Sequence, residues 1–153
     1  SYDVSDDNTI DAGDGKDAFT ADATDIADNG LSLDGGEGLD TLVATGDANI
    51  DFSGLSDNIS NIETIDLGVG EQNITSLSVD DVLDMTDTDN LLRIDGDGAD
   101  SVNLNTQGDD AEWKLGDFKT DAETGQEYRE VTSGEGDETV TLEISTDIEI
   151  SES

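Results

Sequence analysis

"GGEGLDTLV" (residues 35–43) is the stretch on which the reading of this chain turns. It sets Gly36, Gly38 and Asp40 on the frame Gly-x-Gly-x-Asp, then steps through Thr41 to apolar Leu42. Glycines let the backbone turn so that its carbonyls face one point. The Asp adds charge, and the x-apolar-x triplet returns the chain to a strand. Calcium takes about six to eight oxygen ligands from carboxylates and carbonyls, so the pattern is a chemical prescription for a calcium loop. Magnesium suits it less, because it demands stricter geometry from fewer protein ligands. The plainer alternative is an acidic turn, since Gly and Asp are common turn residues.

The frame recurs. "AGDGKDAFT" (12–20) supplies Gly13, Gly15, Asp17 and Phe19, and "DGDGADSVN" (95–103) supplies Gly96, Gly98, Asp100 and Val102. Two degraded copies follow, "LGVGEQNIT" with Gly68, Gly70 and Gln72, and "SGEGDETVT" with Gly134, Gly136 and Glu138. Three aligned copies, each opening a strand, favour calcium over a simple turn. Gly13 to Gly36 is a step of 23 residues, so Asp17 and Asp40 fall on adjacent turns of a repeating coil. Asp100 has no partner at that spacing; Asp66 with the 68–75 loop, or Asp95 and Asp97, are the candidates.

Short alternating apolar stretches lie between the copies: Leu31 and Leu33, Ile50 and Phe52, Ile62 and Ile65, Leu92 and Ile94, Val102 and Leu104. This is the pattern of short strands between turns. Coils of roughly 20 residues stacked on one another make a solenoid with a thin apolar core. One helix is expected over Val79 to Met85, with Ser78 as N-cap and Asp80 and Asp81 in its first turn. Beyond residue 105, "AEWKLGDF", "QEYREVTS" and "ETVTLEISTDIEI" read as antiparallel strands, with 134–137 as a hairpin loop. Trp113, Phe118 and Tyr128 are expected to seal that end of the core. The expected fold is therefore all-β: a single elongated module with β-solenoid or β-roll-like coils and one short helix over 1–105, and antiparallel strands closing the end over 106–153.

Composition narrows the function. Only 32% of the 153 residues are hydrophobic and 4% aromatic, too few for a large central core. Against 41 Asp and Glu stand five cations, Lys16, Arg93, Lys114, Lys119 and Arg129, for a formal net charge of -36. Such a chain repels nucleic acid and anionic membranes. Without Cys or His there are no disulfides, no thiolate or imidazole metal sites, and no nucleophile–histidine catalysis. No apolar run reaches the roughly 20 residues of a membrane span. The opening "SYDVSDDNTI" begins in mid-pattern, so the sequence is expected to be cut from something longer.

The three glycine-aspartate copies resemble the nonapeptide of RTX (repeats-in-toxin) proteins, which bacterial type I systems secrete. Residues 61–104 look like a segment near the C-terminal end of very large RTX adhesins and related biofilm proteins. The Trp, Gly-turn, Tyr-strand and final "TLEISTDIEI" are similar to the end of that module. The resemblance implies an extracellular or cell-surface module, exported unfolded and folded by Ca2+, with Gly13, Gly15, Asp17, Gly36, Gly38, Asp40, Gly96, Gly98 and Asp100 as metal-loop residues. The copies depart from the family in being scattered, and Ala12 and Asp95 replace its first glycine.

The leading expectation is a non-enzymatic structural or adhesive module for cell adhesion, monomeric in isolation, whose partners are calcium ions and a cell-surface glycan or protein. Three alternatives stand beside it: a glycan- or peptide-binding module, an acidic halophilic domain, and a β-helical polysaccharide-active enzyme. Any carboxylate pair is uninformative among 41 acids, so the enzyme reading has no interpretable constellation.

Overall fold

A computed structural model describes residues 2–4, 9–27, 31–105, 112–134 and 136–152. The described residues are mostly β, in three sheets. The largest is an eight-stranded sheet. Its parallel part runs in the order β1 (Tyr2–Val4), β3 (Ala18–Asp22), β5 (Thr41–Thr45), β8 (Thr64–Leu67), β10 (Leu91–Asp95) and β14 (Val140–Ser145). Two antiparallel strands, β13 (Glu127–Ser133) and β12 (Lys114–Thr120), extend it past β14. A parallel three-stranded sheet holds β2 (Thr9–Asp11), β4 (Ser32–Asp34) and β7 (Ile59–Ser60). A parallel four-stranded sheet holds β6 (Ala48–Asp51), β9 (Gln72–Leu77), β11 (Ser101–Leu104) and β15 (Glu149–Glu152).

The chain visits the sheets in turn. It runs from β4 to β5 to β6, then from β7 to β8 to β9, then from β10 to β11, and last from β14 to β15. Equivalent residues align across each pass: Phe19 beside Leu42 beside Ile65 beside Ile94 beside Ile144 in the large sheet, and Ile50 beside Ile74 beside Val102 beside Ile150 in the four-stranded one. Side chains alternate across a strand, so one residue in two points inward. The alternating apolar residues expected as a core, from Leu31 and Leu33 to Val102 and Leu104, are all buried.

The helix α2 (Val79–Met85) begins where the sequence places it. The Ser78 hydroxyl accepts the Asp81 N–H at 3.2 Å, and the Asp81 carboxylate accepts the Ser78 N–H at 2.8 Å, a complete capping box. The expectation of one helix needs correction. A second, α1 (Ala23–Ala27), packs on β6 and buries Ala23 and Ile26. Five residues are too short for a helical period to register in sequence. Three single 3-10 turns occur at Phe52–Gly54, Ser56–Asn58 and Gly136–Glu138.

The carboxyl-terminal third is also only partly antiparallel. β12, β13 and β14 pair that way, but β14 lies parallel to β10 and β15 parallel to β11. The pattern "ETVTLEISTDIEI" thus repeats the two-strand passage of β10 and β11. Trp113 is buried, with its indole N–H donated to the Asn105 carbonyl at 3.0 Å. Tyr128 is buried too, under the Arg93 guanidinium 4.5 Å from its ring centre. Phe118 does not seal the core; it is 57% exposed.

Candidate functional site

The passes β4–β5–β6 and β7–β8–β9 turn two corners each, and the three glycine-aspartate copies do not share one corner. Residues 12–17 join β2 to β3, and 35–40 join β4 to β5, both leading from the three-stranded sheet into the large one. Residues 96–100 join β10 to β11, from the large sheet into the four-stranded one.

At the first corner the two loops stack rung on rung. The Glu37 N–H donates to the Gly13 carbonyl at 3.1 Å, the Gly15 N–H to the Glu37 carbonyl at 2.7 Å, and the Thr41 N–H to the Asp17 carbonyl at 2.8 Å. Gly13 and Gly36 have φ of 83° and 90°, Gly15 and Gly38 of 125° and 154°. A methyl group on Gly36 would strike the Gly13 carbonyl, and one on Gly38 the Gly15 carbonyl. Left-handed backbone favours glycine at all four positions, and Gly36 and Gly38 are required a second time by the closeness of the neighbouring loop.

The frame Asp runs down the same corner as a ladder. Asp40 Oδ1 accepts the Asp17 N–H at 2.7 Å, and Glu63 Oε2 accepts the Asp40 N–H at 2.9 Å. Each acid caps the amide of the passage before it, 23 residues earlier. Asp40 is wholly buried, and its Oδ2 meets no donor among the described residues. Gly35 makes room beside it: a Cβ there would lie 2.7 Å from Oδ2 and would strike the Asn61 carbonyl. Asp34 flanks the corner, its Oδ1 accepting the Asn61 amide at 2.7 Å and the Gly36 N–H at 3.1 Å. Burial pushes the Asp40 carboxyl above its ordinary range; the Asp17 N–H opposes this, and the charges of Asp17 and Asp34 add to it. Burial likewise raises Glu63.

The donor set is all oxygen, as a hard cation requires. Asp40 Oδ2, which has no partner among the described residues, and the Asn61 carbonyl both lie beside Gly35, with Asp17 and Asp34 near enough to influence Asp40 electrostatically. No group of three or more acids among the described residues closes into a cage.

The third copy is built differently. Neither Gly96 nor Gly98 adopts a left-handed backbone. Asp100, 2% exposed, accepts the Asp97 N–H at 2.8 Å and the Gln72 N–H at 3.0 Å. Gln72, the frame residue of a degraded copy, thus occupies the rung before Asp100, as Asp17 does before Asp40. Its side-chain amide donates to the Gly46 carbonyl. Of the partners considered for Asp100, Asp97 and the 68–75 loop bond to it directly. Asp66 lies near enough that the charges of Asp95 and Asp100 add to the burial that raises its carboxyl.

Beside this corner is a cleft of about 310 Å³, lined by Asp66, Asp95, Asp97, Tyr128, Gln126 and Ser145 among others. The Tyr128 hydroxyl donates to Asp95. Arg93 stacks on Tyr128 and is bonded to Glu143 at 2.7 Å and Asp121 at 2.7 Å. Glu63 and Gln72 carry no glycine-aspartate signature of full strength. Glu63 is marked in the sequence only by lying 23 residues after Asp40.

No protein-family model, curated protein or solved structure matches the chain. No helix among the described residues is long and apolar enough to cross a membrane.

Proposed function

We propose that this chain is a calcium-stabilised structural or adhesive module of a large extracellular bacterial protein, wound as a parallel β-solenoid and folded by calcium after export. The observation that carries the proposal is Asp40 Oδ2, a carboxylate oxygen buried beside Gly35 without a donor among the described residues. A buried charge is costly unless it is paired or binds a metal. Asp40 and the Asn61 carbonyl would hold the ion, with Asp17 and Asp34 adding charge; the ion would set a positive charge against the buried Asp40 carboxylate.

The coupling follows from mass action. An ion that binds the folded chain and not the unfolded one stabilises the fold by its binding free energy. A chain at -36 repels itself until cations neutralise part of that charge. Folding would then wait for a calcium-rich exterior, which agrees with the resemblance to secreted RTX adhesins. The reading has no catalytic step, and the isolated module is a monomer within it.

Far-UV circular dichroism during a calcium titration tests the proposal, with sodium and magnesium at matched ionic strength. Cooperative gain of β signal with calcium is the expected result. A chain folded equally well by sodium would leave only an acidic, salt-adapted domain.

The cleft at Asp66, Asp95, Tyr128 and Ser145 favours a second reading, recognition of a hydroxyl-rich glycan by several polar groups facing one space. A glycan array without any calcium-dependent signal would remove it.

A further inference from the structure

The large sheet extends two strands further than the four-stranded sheet facing it. β14 is followed by β13 and β12, whereas β15 has no strand on its outer side among the described residues. The inward face of the extra hairpin therefore overhangs an open groove. Its volume is about 400 Å³, and its walls include Leu115 and Phe118 on β12, Arg129 on β13, Ile148 and Ile150 at β15, and the Glu152 carboxylate, which gives the Arg129 Nε–H no hydrogen bond. Leu115 and Phe118 are 53% and 57% exposed. They occupy the place that buried residues such as Leu142 and Ile144 occupy one strand pair earlier.

Arg129 adds a specific requirement. It registers with Ile144 on one side and Phe118 on the other, so it points toward the apolar interior. Its guanidinium lies 4.6 Å from the Phe118 ring centre. Its Nε–H is buried and has no acceptor among the described residues, in a chain with 41 carboxylates. A buried donor without an acceptor is costly, and a carboxylate is its strongest partner. The rest of the groove asks for a strand: β15 offers an open backbone edge, and alternate residues of an added strand would meet Ile148, Ile150, Leu115 and Phe118.

We infer that this groove receives one extended strand of a partner polypeptide, added beside β15, with apolar residues turned inward and one carboxylate on Arg129. The inference is independent of calcium at the first corner. The opposite edge of the four-stranded sheet does not offer the same site, because α1 packs against β6.

The test uses the whole chain and two fluorescent capped peptides of about eight residues, a usual strand length. Both alternate valine and threonine; one has a central glutamate, the other glutamine. Anisotropy is read in roughly 0.5 M salt, where the Debye length falls to a few ångströms and the net charge no longer repels the glutamate peptide. The glutamate peptide should bind about tenfold more tightly than the glutamine peptide. Arg129→Gln should erase that preference. Phe118→Ser, made at an exposed side chain, should weaken both peptides while the circular dichroism stays unchanged. Equal affinity of the two peptides for the unaltered chain would overturn the carboxylate assignment. Absence of binding by the folded chain at about 1 mM, a free energy near -4 kcal/mol, would overturn the docking site. A concentration-dependent dimer dissolved by Phe118→Ser and indifferent to the peptides would give the groove to a second copy instead, and overturn it as well.

Discussion

Replacing Asp40 with Asn separates the two jobs of one carboxyl group. Oδ1 accepts the Asp17 N–H at 2.7 Å, and an amide oxygen can keep that bond. Oδ2 has no donor among the described residues, so an amide nitrogen in its place breaks no hydrogen bond there. The substitution also removes a buried charge that Asp17 and Asp34 repel. In chelator, Asp40→Asn should therefore melt at or above the unaltered chain. Asp40→Ala should melt lower, because it loses a bond to a charged acceptor worth about 1.5–3 kcal/mol. Calcium at roughly 100 times its dissociation constant stabilises the unaltered chain by about 2.7 kcal/mol. At about 2–4 °C per kcal/mol for a domain of this size, that is a rise of roughly 5–11 °C. Asp40→Asn should keep less than half of the rise. Thermal melts followed by circular dichroism, with and without calcium, give all the values. A full calcium shift in Asp40→Asn would refute the role of Asp40 Oδ2 in holding the ion. Equal loss by Asn and Ala in chelator would refute the view that its charge burdens the calcium-free fold.

The calcium-free chain should gain stability on mild acidification. Burial raises Asp40, Glu63 and Asp66 in the folded state, so their contribution is full below the unfolded pKa near 4 and is lost as pH rises through the folded values. Melts in calcium-depleted buffer should therefore occur higher at about pH 5 than at about pH 7, and the opposite slope would contradict the burial of these acids. Gly38→Ala should cost clearly more than Gly15→Ala: both have left-handed backbone, but a methyl on Gly38 strikes the Gly15 carbonyl while one on Gly15 meets nothing within 4 Å. Equal denaturation midpoints would mean that the loops do not stack. Ser78→Ala should cost about 1 kcal/mol by urea unfolding through loss of the α2 cap. Arg93→Met should cost about 1–2 kcal/mol, since it leaves Glu143 and Asp121 without their shared cation in an already acidic surface; an unchanged midpoint would make that network dispensable.

Much of this architecture is legible in the residues. The 23-residue step from Gly13 to Gly36 is the distance between stacked loops, and the alternation of Leu31 with Leu33 or Val102 with Leu104 is the inward face of each strand. Ser78 and Asp81 announce α2 because a capping box is a local interaction, written within four residues. What stays hidden is non-local. "DGDGADSVN" shares its letters with "GGEGLDTLV", yet it turns another corner, because β10 leaves the large sheet whereas β4 enters it. The same Asp then caps a Gln72 amide rather than an Asp17 amide. Glu63 escapes notice because no glycine accompanies it. Its place in the ladder follows from register alone. Phe118 reads as core because aromatics usually are, but the sheet opposite it ends two strands too soon.

Amide hydrogen exchange, with and without calcium, locates the ion's effect along the chain and so tests whether calcium binds at the stacked glycine loops. Protection should rise first and most in 12–17, 34–41 and 61–63, where the stacked loops and the Asp40 ladder meet, with sodium at equal ionic strength producing no such focus. Uniform protection along the chain, or protection that sodium reproduces, would contradict a calcium site at this corner.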